Sequence, residues 1–422
     1  MSLPRKSGLM QRPWLSNLGT RLALKRTGSR HTTEEIDKLA HHVRVPIMPV
    51  SDEELARTRH YDRGQKLARR DAWEDLSEAM RAADHARRTT LGGEPTALLL
   101  AEGARSDVVA AAEDALYDLM TPNPDWLTDL ASVLRDYPSD YPTATIVALA
   151  HLDIARAWQR LADLRDPKET AEHVASLISK ASDILEPFRS MAHLTPCLGA
   201  AMADLAFAKR QPAQRITELY EDLIALEPGA HRHMRTFGRQ LLFAPGGGPT
   251  AIEVAARRMA VQLEERWGSG GYVWVYMDAL AINPVTLDLI DPELFIEGLR
   301  DILARTENLH TTNLLAAFCA ITMRPRSDLP TAPHAAKARS QIHDFVDHIL
   351  RFHLSELHPL IWSQAILAPR LPRRLPARRA LASKGRQTAL RVIAARLAED
   401  IVAHGEITLA GGKPTGRFTL RG

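Results

Sequence analysis

Cysteine is nearly absent: Cys197 and Cys319 are the only two, with no CxxC spacing and no histidine-rich neighbour. A disulfide framework is thereby excluded, and both residues read as small buried hydrophobes in a chain of the reducing, cytoplasmic compartment. Long apolar runs are missing too, since no stretch approaches the ~20 residues that cross a bilayer. Near the N-terminus Arg12 and Arg21 interrupt the only apolar stretch, so a signal peptide is not expected. Lysine is scarce, at 10 against 44 arginines spread along the whole chain, which points to a coding bias before it points to guanidinium recognition. Aromatic residues reach only 5%, and alternating β patterns are almost absent before the last residues.

What is present is helical. Alanine and leucine carry most of the apolar 45%. Thr32 with Glu35, Ser51 with Glu54 and Thr250 with Glu253 fit the Ser/Thr-x-x-Glu capping box. From Thr32 onward apolar residues recur with the helical period, as in the segments that carry Leu67, Trp73, Leu76 and Met80. Breaks at Pro142, Pro187, Pro228, Gly268 and Asn308 fall 40 to 45 residues apart, and each interval holds two helical segments around a short loop: RDPKE, KRQPAQ, APGGGP and AINPVT. A helix pair repeated at that period cannot bury its apolar stripe alone, so stacking must supply the core. The expected fold is all-α, an α-solenoid of antiparallel helix pairs of about 40 residues. At its end Ile407 and Leu409, then Phe418 and Leu420, suggest a short β-hairpin cap. The expected divisions are a basic tail or amphipathic segment at 1–33, an N-terminal helical region at 34–141, the repeat array at 142–369, a basic helical region at 370–405 and the hairpin at 406–422.

One junction is more particular. In LEPGAHRHMRTFGRQL, Leu226 to Leu241, Pro228 stops a helix and Gly238 follows ten residues later between Phe237 and Leu241. It resembles the junction of tetratricopeptide repeats, in which an apolar-x-Pro ends one helix and a small residue lets the next cross closely. The units are longer than the family's, and a second Leu-Glu-Pro at Pro187 has its glycine, Gly199, twelve residues on. The resemblance implies protein-protein binding along a concave face and carries over no catalytic residue.

Chemistry-bearing candidates are few. APGGGPT lacks the Lys-Ser/Thr and the preceding strand of a phosphate loop, so it is read as an inter-helix turn capped by Thr250. His231 and His233, two apart on a helix, point ~200° from each other and cannot share a metal ion. Glu34, Asp37 and His41 share a helix face near His42, but without HExxH or a second ligand set they read as solvated charge. No catalytic, cofactor or metal residues are assigned. Were the pairs to close into an α/α toroid, acids such as Asp278 or Asp288 would be the candidates of an enzyme, with no motif behind them.

The formal charge of +3 hides two basic blocks. Residues 1–33 carry seven cations and no acid, with Trp14, Leu15, Leu18 and Leu22 on one face of a helix that Pro13 can open. That segment suits packing on the body, an anionic membrane or organellar targeting. From Leu357 to Ala398 there are nine cations and again no acid. Arg373, Arg374, Arg378, Arg379, Lys384 and Arg386 are the candidate contacts to an anionic partner, whether acidic protein, lipid or nucleic acid; the alternative is that the arginines meet acids of the same chain. The block has no interleaved aromatics for base stacking. The expected function is a non-enzymatic scaffold or adaptor that binds proteins along the groove of its first helices. Peripheral membrane or nucleic-acid binding through the basic ends, and an enzyme on an α/α scaffold, are the rivals.

Overall fold

A computed structural model describes residues 32–326, 332–367 and 376–409. In chain order the elements are α1 Thr33–Ala40, β1 Val43–Arg44, α2 Asp52–Ala68, α3 Trp73–His85, α4 Thr96–Tyr117, α5 Pro124–Asp136, α6 Tyr141–Arg160, α7 Pro167–Leu185, α8 Pro196–Ala208, α9 Ala213–Leu226, α10 His231–Phe243 and α11 Pro249–Gln262. There follow α12 Glu264–Trp267, α13 Gly270–Ile282, α14 Pro292–Arg305, α15 Leu309–Ala317, α16 Pro333–Asp344, α17 Val346–Phe352, α18 Pro359–Leu367, α19 Arg378–Arg396, α20 Ala398–His404 and β2 Ile407–Thr408. The protein is all-α, with one short two-stranded sheet among the described residues. No described helix is long and apolar enough to cross a membrane.

The four expected hairpins are α6/α7, α8/α9, α10/α11 and α13/α14, and RDPKE, KRQPAQ, APGGGP and AINPVT all fall at their turns. Pro142 is an exception among the breaks: it is the second residue of α6 and opens that helix, whose missing amide would have been unpaired there anyway. Across units, α4 packs on α6, α6 on α8, and α10 on α13. Three apolar cores result. One runs from Trp73 to Leu205, a second from Ala203 to Leu409, and a smaller third gathers Ala112, Leu116, Ile154 and Leu177 around Trp158.

The second core also holds Ile36 and Val43, so the start of the described chain belongs with its end. Helix α1 packs on α19, and Arg391 grips Asp37 through Nε at 2.5 Å and Nη2 at 2.8 Å. Strand β2 pairs in parallel with β1, Val43 opposite Ile407 and Arg44 opposite Thr408. The Leu357 amide donates to the Pro46 carbonyl, and the Met48 amide donates to that of Leu357, both at 2.8 Å. The first strand of the expected C-terminal hairpin is present and takes a parallel partner from the far end of the chain; Phe418 and Leu420, its expected second strand, lie outside the described residues. Period-2 alternation marks a strand without naming its partner.

Local chemistry departs from expectation at Ser51 and at Thr250. Thr32 and Glu35 form both halves of a capping box, whereas Ser51 supplies only its own half while Glu54 turns to Arg378. Thr250 caps nothing: Gly248, at φ +105°, is the N-cap of α11, and Glu253 accepts hydrogen bonds from the Tyr272 and Tyr276 hydroxyls, each at 2.6 Å. Finally, α19 runs unbroken through Gly385, where a Cβ would stand 1.8 Å from the Pro359 carbonyl oxygen. The glycine there serves a close helix crossing and not a break.

Candidate functional site

The first helices of successive pairs are joined by a row of polar side chains. Arg105 of α4 donates to Asp153 of α6 at 2.6 Å, and Arg156, one turn along, donates to the same carboxylate at 2.6 Å. Arg156 also reaches Asp204 of α8 at 3.4 Å, and Asp204 accepts from Gln240 of α10 at 2.8 Å. Arg235 of α10 then grips Asp278 of α13 through Nε at 3.0 Å and Nη2 at 2.8 Å. Each link spans 36 to 48 residues, the length of one unit.

The row is open to solvent along one side. The Arg156 side chain is 40% exposed, and Arg235 and Asp278 are 26% and 27% exposed. Burial raises the Asp153 pKa, but the charges of Arg105 and Arg156 outweigh it and hold the carboxyl at about 2. Its charge is therefore permanent at any physiological pH.

The α3–α4 loop crosses from hairpin to hairpin. Asp84 accepts from the Tyr141 hydroxyl at 3.2 Å and from the Cys197 amide at 2.8 Å, and Arg87 donates to the Leu194 carbonyl at 2.8 Å. Beyond it the Asn308 side chain donates to the Leu91 carbonyl at 2.5 Å, and Glu94 takes Arg232. Burial raises the Glu94 pKa, yet Arg232 and Arg57 hold it at about 2. Gly93, at φ +73°, lies flat against the His231 ring, where a Cβ would come within 2.4 Å.

The loop hangs on Glu53, which is 1% exposed and accepts from the Thr90 hydroxyl and the Gly92 amide, each at 2.6 Å. Replacing Glu53 by Ala strands both donors and is expected to cost about 2–3 kcal/mol. Amide exchange at Gly92 and tryptic cleavage at Arg87 and Arg88 should both accelerate; unchanged protection at Gly92 would show that the loop is held elsewhere.

His231 is buried, stacked on Trp274 with centroids 4.0 Å apart and edge-on to Trp267 at 6.0 Å. Neither ring nitrogen has a hydrogen-bond partner. Burial, with Arg235 nearby, pushes its pKa down to about 3. His233 points elsewhere, to Glu227 at 2.9 Å, as helix geometry requires. Among the described residues no group of three or more His, Cys, Asp or Glu is arranged to hold a metal ion. Of the N-terminal trio, Asp37 is engaged by Arg391 and His41 is exposed. Asp278 belongs to the polar row while Asp288 lies exposed on the turn after α13, so the two do not converge.

The glycine turn between α10 and α11 has little to offer a phosphate. The Gly247 and Gly248 amides already donate to the Ala244 and Leu241 carbonyls, each at 2.9 Å. Pro228 and Gly238 act as a joint. The Pro228 carbonyl accepts from Trp267 Nε1 at 2.8 Å, and Gly238 lets α10 meet the Val275 carbonyl of α13.

In the C-terminal basic block, Arg378 pairs with Glu54, Arg391 with Asp37, and Arg396 with Asp344 and Asp347. These three hold the two ends of the chain together or brace α19. Arg379, Lys384 and Arg386 have no ion-pair partner among the described residues, while Arg370, Arg373 and Arg374 lie outside them, as does the basic segment with Trp14.

The polar row was not singled out from the sequence, although a signal exists. LDIA, ADLA and MDAL each set one aspartate, Asp153, Asp204 or Asp278, into an otherwise apolar helix. Such an acid on a core helix needs a partner from a neighbour. No family model matches this chain, and no curated protein or solved structure matches it.

Proposed function

We propose that the protein is a non-enzymatic helical-repeat adaptor, a tetratricopeptide-like stack of helix pairs that binds an extended segment of a partner protein along its first helices. The solvent-open row from Arg105 to Asp278 carries this reading. Packed helices lie 8–10 Å apart and an extended chain rises about 3.4 Å per residue, so each helix meets roughly three residues of a partner laid across it. The row then offers donors and acceptors in turn to main-chain amides and to charged side chains.

The test is affinity capture with the full chain in parallel with Arg156→Glu/Arg235→Glu. A defined set of proteins retained at physiological salt by the parent and lost from the double variant is expected. An identical set on both proteins, or turnover of a small substrate by the purified chain, would overturn the reading.

A further inference from the structure

We infer that the groove between α8 and α9 is a second docking site, independent of the polar row, and that it takes an amphipathic helix of another protein flanked by acidic residues. The groove encloses about 340 Å³ and lies over the seam between the two larger apolar cores. Leu198, Ala201 and Leu205 of α8 belong to the first core, while Ala203 and Ala206 of the same helix belong to the second. The second helices of the adjoining pairs, α7 and α9, barely touch, so among the described residues no helix lies over the outer side of α8 between them. Sites between packed units are a common place for binding.

Its floor is apolar, made by Met202, Leu219 and Leu223, and its depth depends on Gly199. A Cβ at Gly199 would meet the Ala192 carbonyl at 3.2 Å and Leu223 Cδ1 at 3.4 Å, so a larger residue there would fill the groove. Met191 and Leu194, next in sequence to the lining residues Ala192 and His193, are 37% and 61% exposed. From Gly199 to Lys209 the floor runs about 15 Å, the length of a three-turn helix.

Charge selects the partner. The lining carries Arg189, Lys209 and Arg215 against one acid, Asp222, with His193 beside them. Arg189 and Arg215 touch Glu186 and Glu218 of their own turns, and Lys209 touches the Ser182 hydroxyl. Both ion pairs are about half exposed or more and therefore weak, which leaves these cations able to turn toward an incoming carboxylate. An apolar floor between basic rims is the complement of a helix with large apolar residues at i, i+4 and i+7 and Asp or Glu on either side.

A displayed library of random 16-residue peptides selected against the full chain tests this. Enriched sequences should combine that apolar spacing with acidic flanks. Their affinity should fall at least tenfold in Lys209→Glu/Arg215→Glu, whose exposed sites do not threaten folding, and in Met202→Trp, which blocks the floor. It should be unmoved by Arg156→Glu/Arg235→Glu, which separates this site from the polar row. Failure to enrich any peptide, enrichment without acidic flanks, or binding indifferent to both groove variants would overturn the inference.

Discussion

Gly238→Ala is expected to destabilise the protein by about 4 kcal/mol, the largest effect of any single-methyl substitution proposed for it. A Cβ at this position would stand 1.8 Å from the Val275 carbonyl oxygen and 2.8 Å from its carbon, on backbone that cannot swing aside. To admit the methyl, α10 and α13 must part by more than an ångström. Phe237, Leu241, Trp274 and Tyr276, all fully buried, line that interface. The gain from replacing a helical glycine, about 1 kcal/mol, is far too small to offset such a loss of packing. The apparent melting temperature should fall by roughly 5 °C. Gly229→Ala is the control, because its Cβ would find only the Arg266 side chain, at 3.5 Å. Equal melting of the two variants would refute the close crossing.

Lowering the pH from 7 to 5 should cost about 2 kcal/mol for each of three buried histidines. Burial pushes the pKa of His231 down to about 3, and those of His310 and His343 to about 4, from an ordinary 6.5. Each folded pKa lies below the unfolded one. Below about pH 6.5 the unfolded chain therefore binds more protons, and stability present at neutral pH is lost progressively as pH falls toward the folded values. Glu94 and Asp153, held at about 2, add a further loss as pH falls from the ordinary carboxylate range toward 2. Glu53 and Asp84 work the other way: burial raises their pKa values, so their protonation on acidification relieves part of the strain. Urea midpoints measured from pH 7.5 to pH 5 should fall steadily. His231→Phe keeps the stack on Trp274 without a titrating ring and should remove about 2 kcal/mol of the loss between pH 7 and pH 5. A midpoint that stays constant down to pH 5 would contradict the prediction.

Much of this architecture could be read from the residues in order. Proline and glycine act locally, so the positions of Pro187, Pro228 and Gly268 marked where helices stop without reference to anything distant. The helical period of leucine and alanine marked the buried faces, and the turns at RDPKE and KRQPAQ follow from the same punctuation. Gly238 was legible as well, because a glycine inside an apolar helix has a packing reason more often than a conformational one. The His-Arg-His pair fell apart as a metal site on helix geometry alone.

What the sequence could not decide is which of these faces meet. Ile407 announced a strand, but only the folded chain gives it Val43 as its partner. Thr250 and Glu253 have the spacing of a cap, yet two tyrosines of α13 claim the glutamate and Gly248 takes the helix end. The arginines of α19 looked like a surface for an outside anion, and three of them are instead engaged by acids that lie up to 354 residues away in the chain. The row from Arg105 to Asp278 is the same case, since each member is an unremarkable charge until the next helix sets its counter-charge beside it. Helix and turn preferences are interactions between neighbours in the chain, and so the sequence by itself determined the units and their boundaries. Ion pairs, closures and grooves depend on Coulomb and contact forces between residues far apart in the chain, and only the tertiary structure decides those distances.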